Sequence, residues 1–278
     1  MKKLFDEVSY DVSRCITQKY STSFSLGILA LSPSIRPAIY AIYGYVRLAD
    51  EIVDSFHDYD KKALLQRLKQ DTEAALRDKI SLNPVLNSFQ KTVHHYQIDP
   101  DLIWQFLHSM EMDLEKLDYH SDLYKEYIYG SAEVVGLMCL QVFTNGDKET
   151  YRDLKPFAMK LGSAFQKVNF LRDLKDDYKI LGRTYFPGID MSIFDNHVKT
   201  EIEKDIELEF KEALTGIRRL PASARLGVYL AYKFYLSLFK KIKNTPAENI
   251  LNERTRIPDF QKLAVVMRGY VRYKIALL

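Results

Sequence analysis

Residues 161–177 read LGSAFQKVNFLRDLKDD and carry two side-chain patterns at once. Apolar residues recur with helical spacing at Leu161, Ala164, Val168 and Leu171. Polar residues form a second line at Gln166, Asn169, Asp173 and Asp177, with Arg172 and Asp176 at its flanks. The last three members of that line extend over about 12 Å of helix. Amide and carboxylate oxygens in such a row suit hard divalent cations, so the stretch predicts a long helix with a candidate Mg²⁺ site.

Residues 38–56 repeat this arrangement. Their apolar face consists of Ile42, Val46, Ala49 and Val53, and the adjacent polar line consists of Tyr43, Arg47, Asp50 and Asp54. Asp50 and Asp54 lie one helical turn apart, about 5–6 Å between Cβ atoms, so their charges repel. Solvent, a cation or a positive neighbour must compensate them. Taken alone, the pair fits a solvated helix face; the mixture of Tyr, Arg and Asp beside an apolar surface favours a polar-lined cavity in a helical bundle.

The composition also favours helices. The 278 residues include 11 Gly and 9 Pro, below the usual shares of about 7% and 5%, which disfavours all-β folds. Hydrophobic residues make up 47% and charged residues 28%, which excludes disorder for most of the chain. No linker separates two halves, so we expect one all-α domain over residues 1–278.

Helices are predicted near 4–20, 34–57, 60–78, 84–96, 100–117, 122–144, 147–180, 199–218, 221–244 and 259–275. Ser32-Pro33 and Asp99-Pro100 resemble helix starts.

Several classes of function are disfavoured. A net charge of +3 is too small to indicate a nucleic-acid partner. Cys15 and Cys139 cannot build a disulfide framework or a cysteine-rich zinc site, and the six His share no ligand spacing with them. Common nucleotide-binding loops and nucleophile motifs are absent. The N-terminus lacks the apolar region of a signal peptide, so we expect a cytoplasmic protein.

A run of acids serves as a contrast to the two polar lines. Glutamate and aspartate alternate with other residues at Glu201, Glu203, Asp205, Glu207 and Glu209. A spacing of two scatters these side chains around a helix, with no Arg or Tyr on a shared line. We therefore interpret the run as a solvated face.

Six motifs in order resemble the squalene/phytoene synthases, head-to-head prenyl transferases with the all-α isoprenoid synthase fold around a central cavity. The resemblance covers roughly residues 15–270. Its strongest parts are the acidic motifs, DEIVD at Asp50–Asp54 and NFLRDLKDD at Asn169–Asp177. The others are STSF at Ser21–Phe24, the stretch Ala41–Arg47, the Y…VGLM helix at Tyr129–Met138, and GRTYFP at Gly182–Pro187.

The resemblance implies roles for individual residues. Two or three Mg²⁺ ions, with Mn²⁺ as an alternative, would be held by Asp50, Asp54, Asn169, Asp173 and Asp177. Prenyl diphosphates would be bound by Ser23, Phe24, Arg47, Gln166, Arg172, Arg183 and Tyr185. Tyr43 and Tyr129 would face the reacting carbons. Glu51 replaces the Asp of many members and keeps a carboxylate, and Asp176 is additional to the pattern.

The implied chemistry is condensation of two prenyl diphosphates through a cyclopropylcarbinyl diphosphate to a 1–1′-linked polyene. The DE-x-x-D form, the Arg254–Pro258 segment and the small side chain of Ile28 favour two geranylgeranyl diphosphates and phytoene, a step of carotenoid synthesis. A C30 synthase that uses farnesyl diphosphate remains the alternative, with NADPH needed only if it makes squalene.

Other readings stay open. A non-catalytic assembly-factor relative would lose the acidic motifs, which are intact here. A chain elongase or a terpene cyclase would carry a different second motif.

The tail Lys262–Leu278 interleaves apolar residues with Arg268, Arg272 and Lys274, so it either lies on an anionic membrane surface or packs on the bundle. The oligomeric state is not predicted.

Overall fold

The computed structural model describes residues 1–115, 121–176, 185–187 and 194–276, and these residues form helices and no strand. The all-α prediction is therefore confirmed. The helices are α1 Lys2–Tyr20, α2 Thr22–Leu29, α3 Arg36–Asp54, α4 Lys61–Asp78, α5 Pro84–Tyr96, α6 Pro100–Met112, α7 Ser121–Ile128, α8 Val134–Thr144, α9 Lys148–Asp176, α10 Asn196–Arg219, α11 Ala222–Lys243, α12 Ala247–Asn252 and α13 Asp259–Ala276. A π-helical turn, Tyr129–Glu133, joins α7 to α8.

Side-chain caps explain where several helices begin. Asn83 accepts a hydrogen bond from the backbone N–H of Val85, and Asp99 accepts one from Asp101, with proline in the first turn of each helix. The predicted start at Asp99-Pro100 is thus confirmed. The predicted start at Ser32-Pro33 is wrong, because residues 32–35 form a turn closed by the N–H of Ile35 on Ser32, and α3 begins at Arg36.

Two short helices, α2 and α12, were not predicted. The α2 segment is rich in Ser and Thr, which have modest helix propensity. Its first turn is stabilised by the Ser21 side chain, which accepts from the N–H of Phe24. The helix then packs against α11. Tertiary contact therefore supplies what local propensity lacks.

Helix α3 is central to the first half of the bundle and packs on α1, α4, α5 and α8. Its apolar stripe is buried as predicted, with Ile42 and Ala49 almost fully covered. On another side, the rings of Tyr45 and Phe89 stack 3.9 Å apart and nearly parallel. This packing fixes the rotation of α3 and so points its polar line away from the core.

Helix α9 approaches the π-helical turn very closely. A Cβ atom placed on Gly162 would lie 2.8 Å from the carbonyl oxygen of Ala132, which is shorter than real side chains permit. The glycine therefore allows the two backbones to meet. Helix α9 also packs on α8, α10 and α11.

The prediction that the acids of residues 201–209 form a solvated face is wrong for two of them. Glu203 and Glu209 are 3% and 4% exposed. Lys199 donates to Glu203, and Ser163 and Lys167 of α9 donate to Glu209. The buried carboxylates are compensated by partners, most of them distant in sequence.

One helical stretch, Ser121–Thr144, is long and apolar enough to cross a membrane by length and composition alone. Half of its most apolar window is buried inside the bundle. Val134, Leu137 and Met138 have no exposed surface. The stretch has the packing of a core helix.

Candidate active site

A cavity in the described part of the chain has a volume of about 1070 Å³, slightly above the usual 300–1,000 Å³ of ligand pockets. Its walls come mainly from α2, α3, α6, α7, the π-helical turn, α8, α9, α10, α11 and the segment Arg254–Pro258. Most of its lining is aliphatic and aromatic, including Ile28, Val135, Leu161 and Phe165.

The two polar lines predicted from the sequence meet in this cavity. Helix α3 contributes Tyr43, Arg47, Asp50 and Asp54, and α9 contributes Gln166, Asn169, Arg172 and Asp173. The α3 line and the α9 line are more than a hundred positions apart in the sequence, yet they border the same cavity. The Asp50/Asp54 pair is therefore not part of a solvated helix face.

The carboxyl group of Asp50 is strongly perturbed. Burial in the bundle and, to a smaller degree, the charge of Asp54 raise its pKa to about 7, while Arg47, 3.9 Å away, opposes the shift. The side chain still keeps 31% of its surface open because it faces the cavity. A cation bound here would relieve the repulsion between the two aspartates.

Glu51 has a different role from its neighbours. Its carboxylate accepts hydrogen bonds from Tyr20 and Ser55, each at 2.8 Å, and pairs with Arg47. Burial alone would raise its pKa, but these hydrogen bonds and the Arg47 charge lower it. Glu51 therefore holds Arg47 in place. The Nε of Arg47 is buried without a hydrogen-bond partner in the described part of the chain, and the residue lines the cavity.

Asp173 of the second motif is held by two guanidinium groups. Arg172 donates from Nε at 2.9 Å, and Arg254 lies 2.6 Å from the same carboxylate oxygen. Neighbouring Asn169 accepts from the Tyr235 hydroxyl at 3.4 Å. Arg254 was noticed in the sequence only as part of a tail motif, since an arginine 81 positions away cannot be assigned to Asp173 from spacing.

A cluster of aromatic rings lies among the polar residues of the cavity. The ring of Phe24 lies 5.2 Å from Tyr43 and 6.0 Å from Tyr235, and Tyr235 stacks on Phe165 at 3.8 Å. Burial raises the pKa of Tyr43 to about 12, so its phenol stays protonated. Ser23 also lines the cavity, as expected for a residue at its polar end.

The role of Tyr129 at the reacting carbons stays a prediction. Tyr129 is not among the lining residues, whereas Tyr127 and Ser131 are. Tyr129 opens the π-helical turn, and its ring is close to Glu133, Asp99 and Tyr151.

Tyr185 lines the cavity. It is hydrogen-bonded to Asp113, which was not predicted from the sequence as a site residue. Its hydroxyl donates to Asp113 at 3.4 Å, and the Tyr127 hydroxyl donates to the same carboxylate at 2.9 Å. Asp113 also lines the cavity. An isolated aspartate in the run Met-Glu-Met-Asp-Leu carries no periodic signal that could have identified it.

Two predicted site residues, Asp177 and Arg183, lie outside the described residues, as does the side chain of Asp176. Within the described part no three Asp, Glu, His or Cys side chains converge tightly enough to hold a metal ion. The donor set nevertheless fits Mg²⁺, because Asp50, Asp54, Asn169 and Asp173 all present oxygens to one cavity and Asp50 and Asp54 repel each other. Asp173 would have to exchange Arg254 for the ion.

An α-helical bundle in which acids and guanidinium groups line part of a large, mostly apolar cavity has the architecture of an enzyme for apolar substrates with anionic head groups. Comparison with known proteins narrows this class. The profile of the family described as squalene/phytoene synthase matches residues 17–261. The chain therefore belongs to the squalene/phytoene synthase family, whose members are head-to-head prenyl transferases.

Relatives with assigned names agree with this placement. Phytoene synthase 1, chloroplastic, of Arabidopsis thaliana is 28% identical over 284 residues, which cover 95% of this chain and 66% of the relative. The 4,4'-diapophytoene synthase of Staphylococcus haemolyticus is 27% identical over 205 residues, covering 72% of this chain and 69% of the relative. A crystal structure of a dehydrosqualene synthase in complex with a ligand has a TM-score of 0.83 at 21% identity, covering 97% of this chain and 98% of that one. The similarity to this crystal structure, at 21% identity, shows only that the two chains share a fold.

Proposed function

We propose that the chain catalyses Mg²⁺-dependent condensation of two geranylgeranyl diphosphates to phytoene. The observation that carries the proposal is that the two acidic lines, one from α3 and one from α9, border the same cavity. Arg47 and Arg172 stand beside these acids, and the rest of the cavity is mostly apolar. Such a site matches a substrate with an anionic head and a long hydrocarbon tail.

The metal would be held by Asp50 and Asp54 on one side and by Asn169 and Asp173 on the other, with Asp177 as a further expected ligand. When bound, Mg²⁺ would neutralise diphosphate oxygens and make the diphosphate a better leaving group. Arg47 and Arg172 would bind the remaining oxygens, because a guanidinium donates two parallel hydrogen bonds to an oxyanion. Ser23, Gln166 and Tyr185 would add neutral donors, and Arg183 a further cation.

Loss of diphosphate would leave an allylic carbocation, which must be kept from water and stabilised by electron-rich groups. Phe24, Tyr43 and Tyr235 form a packed aromatic group next to the acids. Their rings would exclude water where the first carbon–oxygen bond breaks. Proton loss after condensation and rearrangement would give phytoene without a reductant.

Two observations support a C20 substrate: the size of the residue at position 28 in the cavity wall, and the names of the similar proteins. Ile28 lines the cavity one helical turn after Phe24, where an aromatic side chain would shorten the space for a tail. Named relatives include phytoene synthases and one diapophytoene synthase, so the C30 reaction is the second candidate. NADPH would be required only for squalene.

A product assay tests the proposal. The purified chain receives Mg²⁺ with farnesyl or geranylgeranyl diphosphate, with and without NADPH, and the hexane extract is analysed by mass spectrometry. We expect a C40 hydrocarbon from geranylgeranyl diphosphate alone. A C30 product would replace the substrate assignment, and no hydrocarbon from folded protein would overturn the function.

Matched variants separate chemistry from folding. Asp50→Asn and Asp173→Asn should reduce product at least 100-fold with little change in melting temperature. Asp71→Asn removes an exposed acid of α4 outside the cavity and should behave as wild type. Activity near wild type in both cavity variants would contradict the proposal.

We also propose that this cytoplasmic enzyme releases its product at a membrane surface through α13. Gly269 and Tyr273 of α13 face α11, whereas Met267, Val271 and Ile275 are 56%, 48% and 78% exposed. Arg268 and Arg272 are exposed beside this apolar stripe. Co-flotation with anionic vesicles should occur and should be lost in Val271→Glu; absence of flotation with the wild-type chain would overturn the proposal.

A further inference from the structure

Asp113 is a buried acid at the edge of the cavity that the reaction described above does not use. It is the first residue after α6 and is 6% exposed. Removing a carboxylate from water is costly unless hydrogen bonds or charges compensate it. Its partners should therefore reveal why it is there.

Two phenols compensate Asp113, one on each carboxylate oxygen. The Tyr127 hydroxyl lies 2.9 Å from Oδ2, and the Tyr185 hydroxyl lies 3.4 Å from Oδ1. Tyr127 belongs to α7, and Tyr185 lies between the second acidic motif and α10. One carboxylate thus joins three separate parts of the chain at the cavity wall.

The two phenol rings belong to a stack. Tyr127 and Tyr185 are 5.2 Å apart with planes inclined by 26°, and Tyr185 lies 4.3 Å from Phe170 at 9°. Phe170 is the residue after the metal-ligand candidate Asn169. All three rings line the cavity. Asp113 therefore fixes the oxygen ends of a stack whose other end is part of the second acidic motif.

This geometry has an electronic consequence. A phenol that donates to a carboxylate makes a charge-assisted hydrogen bond, which leaves more electron density on its oxygen and ring. Electron-rich ring faces attract cations more strongly. A ring stack held in this way can stabilise positive charge in the cavity without placing the carboxylate itself against the cation.

We propose that Asp113 is a positioning residue for the condensation: its carboxylate orients Tyr127 and Tyr185 and makes their rings better partners for the allylic carbocation. The inference rests on the proposed function. It assigns Asp113 a role distinct from metal binding, although Asp113 contributes to the negative charge around Asp50. The distinction can be measured, because a metal ligand and an orienting group affect different steps.

The central variant is Asp113→Asn, which keeps the shape and removes the charge. We expect kcat to fall about 10- to 100-fold while KM stays within about threefold. The fraction of substrate that leaves as water-trapped alcohols instead of hydrocarbon should rise several-fold, since a less stabilised cation survives for a shorter time. A merely structural role would reduce the amount of active enzyme and leave this fraction unchanged.

Tyr127→Phe and Tyr185→Phe remove the same hydrogen bonds from the other side and leave the carboxylate in place. Each should shift the alcohol fraction in the same direction. The double variant Asp113→Asn/Tyr127→Phe should be no worse than the poorer single variant, because both break one interaction. Asp71→Asn, an exposed acid outside the cavity, is the control.

The outcomes separate the two levels of inference. Hydrocarbon production by the wild-type chain tests the proposed function, and its absence would overturn both. With an active wild type, an unchanged alcohol fraction and kcat in Asp113→Asn would overturn the positioning role. Loss of Mg²⁺-dependent binding of a prenyl thiodiphosphate in Asp113→Asn would also overturn it and make Asp113 a metal ligand.

Discussion

The Nε atom of Arg254 lies 2.6 Å from a carboxylate oxygen of Asp173, so the segment after α12 is attached directly to the second acidic motif. Arg172 donates to the same oxygen. A metal ion that uses this oxygen must displace at least one cation. The structure therefore describes a site in which arginine occupies part of the space that a divalent ion would take.

Replacing Arg254 should strengthen binding of Mg²⁺ alone. The Arg254 side chain is 38% exposed, and pairs of that kind contribute up to about 1 kcal/mol, which corresponds to about a fivefold change in affinity. Calorimetric titration of Arg254→Gln with MgCl₂ measures it. Arg268→Gln on α13 is the control, and an unchanged or weaker affinity in Arg254→Gln would show that Arg254 does not compete with the ion.

Enlarging Ile28 should shift substrate preference. Ile28 lines the cavity and is 3% exposed, so the larger ring in Ile28→Phe must occupy space that a tail would use. We expect the ratio of kcat/KM for geranylgeranyl over farnesyl diphosphate to fall about tenfold or more. Leu29→Phe changes the neighbouring, half-exposed residue and should leave the ratio unchanged. Equal ratios in the two variants would show that Ile28 does not limit tail length.

Removing Lys167 should destabilise the fold strongly. Lys167 and Glu209 have side chains 8% and 5% exposed and lie 2.9 Å apart. Lys167→Met removes the nearest cation from a buried carboxylate and leaves it Ser163 and the more distant Lys160, so we expect a loss of up to about 3–5 kcal/mol. Urea unfolding measures the loss. The double variant Lys167→Met/Glu209→Gln should recover much of it, and failure to recover would mean that packing, not charge, explains the single variant.

Glu133 should make stability depend on pH. Burial raises its pKa from 4.5 to about 7, and the charge of Glu209 adds to the shift, while Lys160 and Lys167 oppose it. The folded state then binds more protons than the unfolded state between these values, so stability falls as pH rises from about 4.5 to 7.

Glu133→Gln removes this penalty. Its unfolding free energy should exceed that of wild type by about 1–3 kcal/mol at pH 8, and the difference should vanish near pH 4.5. Chemical denaturation at a series of pH values gives both curves. A difference that does not depend on pH would assign the effect to packing.

The two acidic lines were predictable because each is local. Helical periodicity places Asp50 beside Asp54 and Asn169 beside Asp173 without any knowledge of the fold, and burial of the apolar stripe then decides which way each line points. The family resemblance predicted that the two lines face each other, and in the structure both lines border the same cavity.

The remaining features depend on contacts between distant segments. Arg254 reaches Asp173, Asp113 meets two phenols, and Glu209 is paired with Lys167 of another helix. None of these partners follows from spacing within one helix. The same reason explains why Glu203 and Glu209 of α10 were mistaken for part of a solvated face.

The close contact between Gly162 and the carbonyl of Ala132 has a consequence for how product length can evolve. No side chain fits at Gly162 without separating α9 from the π-helical turn, so this position of the cavity wall is restricted to glycine. Ile28, on the short helix α2, presents to the cavity a side chain that can be exchanged for a larger or a smaller one. Substitutions that change product length are therefore expected at Ile28 of α2, whereas Gly162 of α9 should stay unchanged.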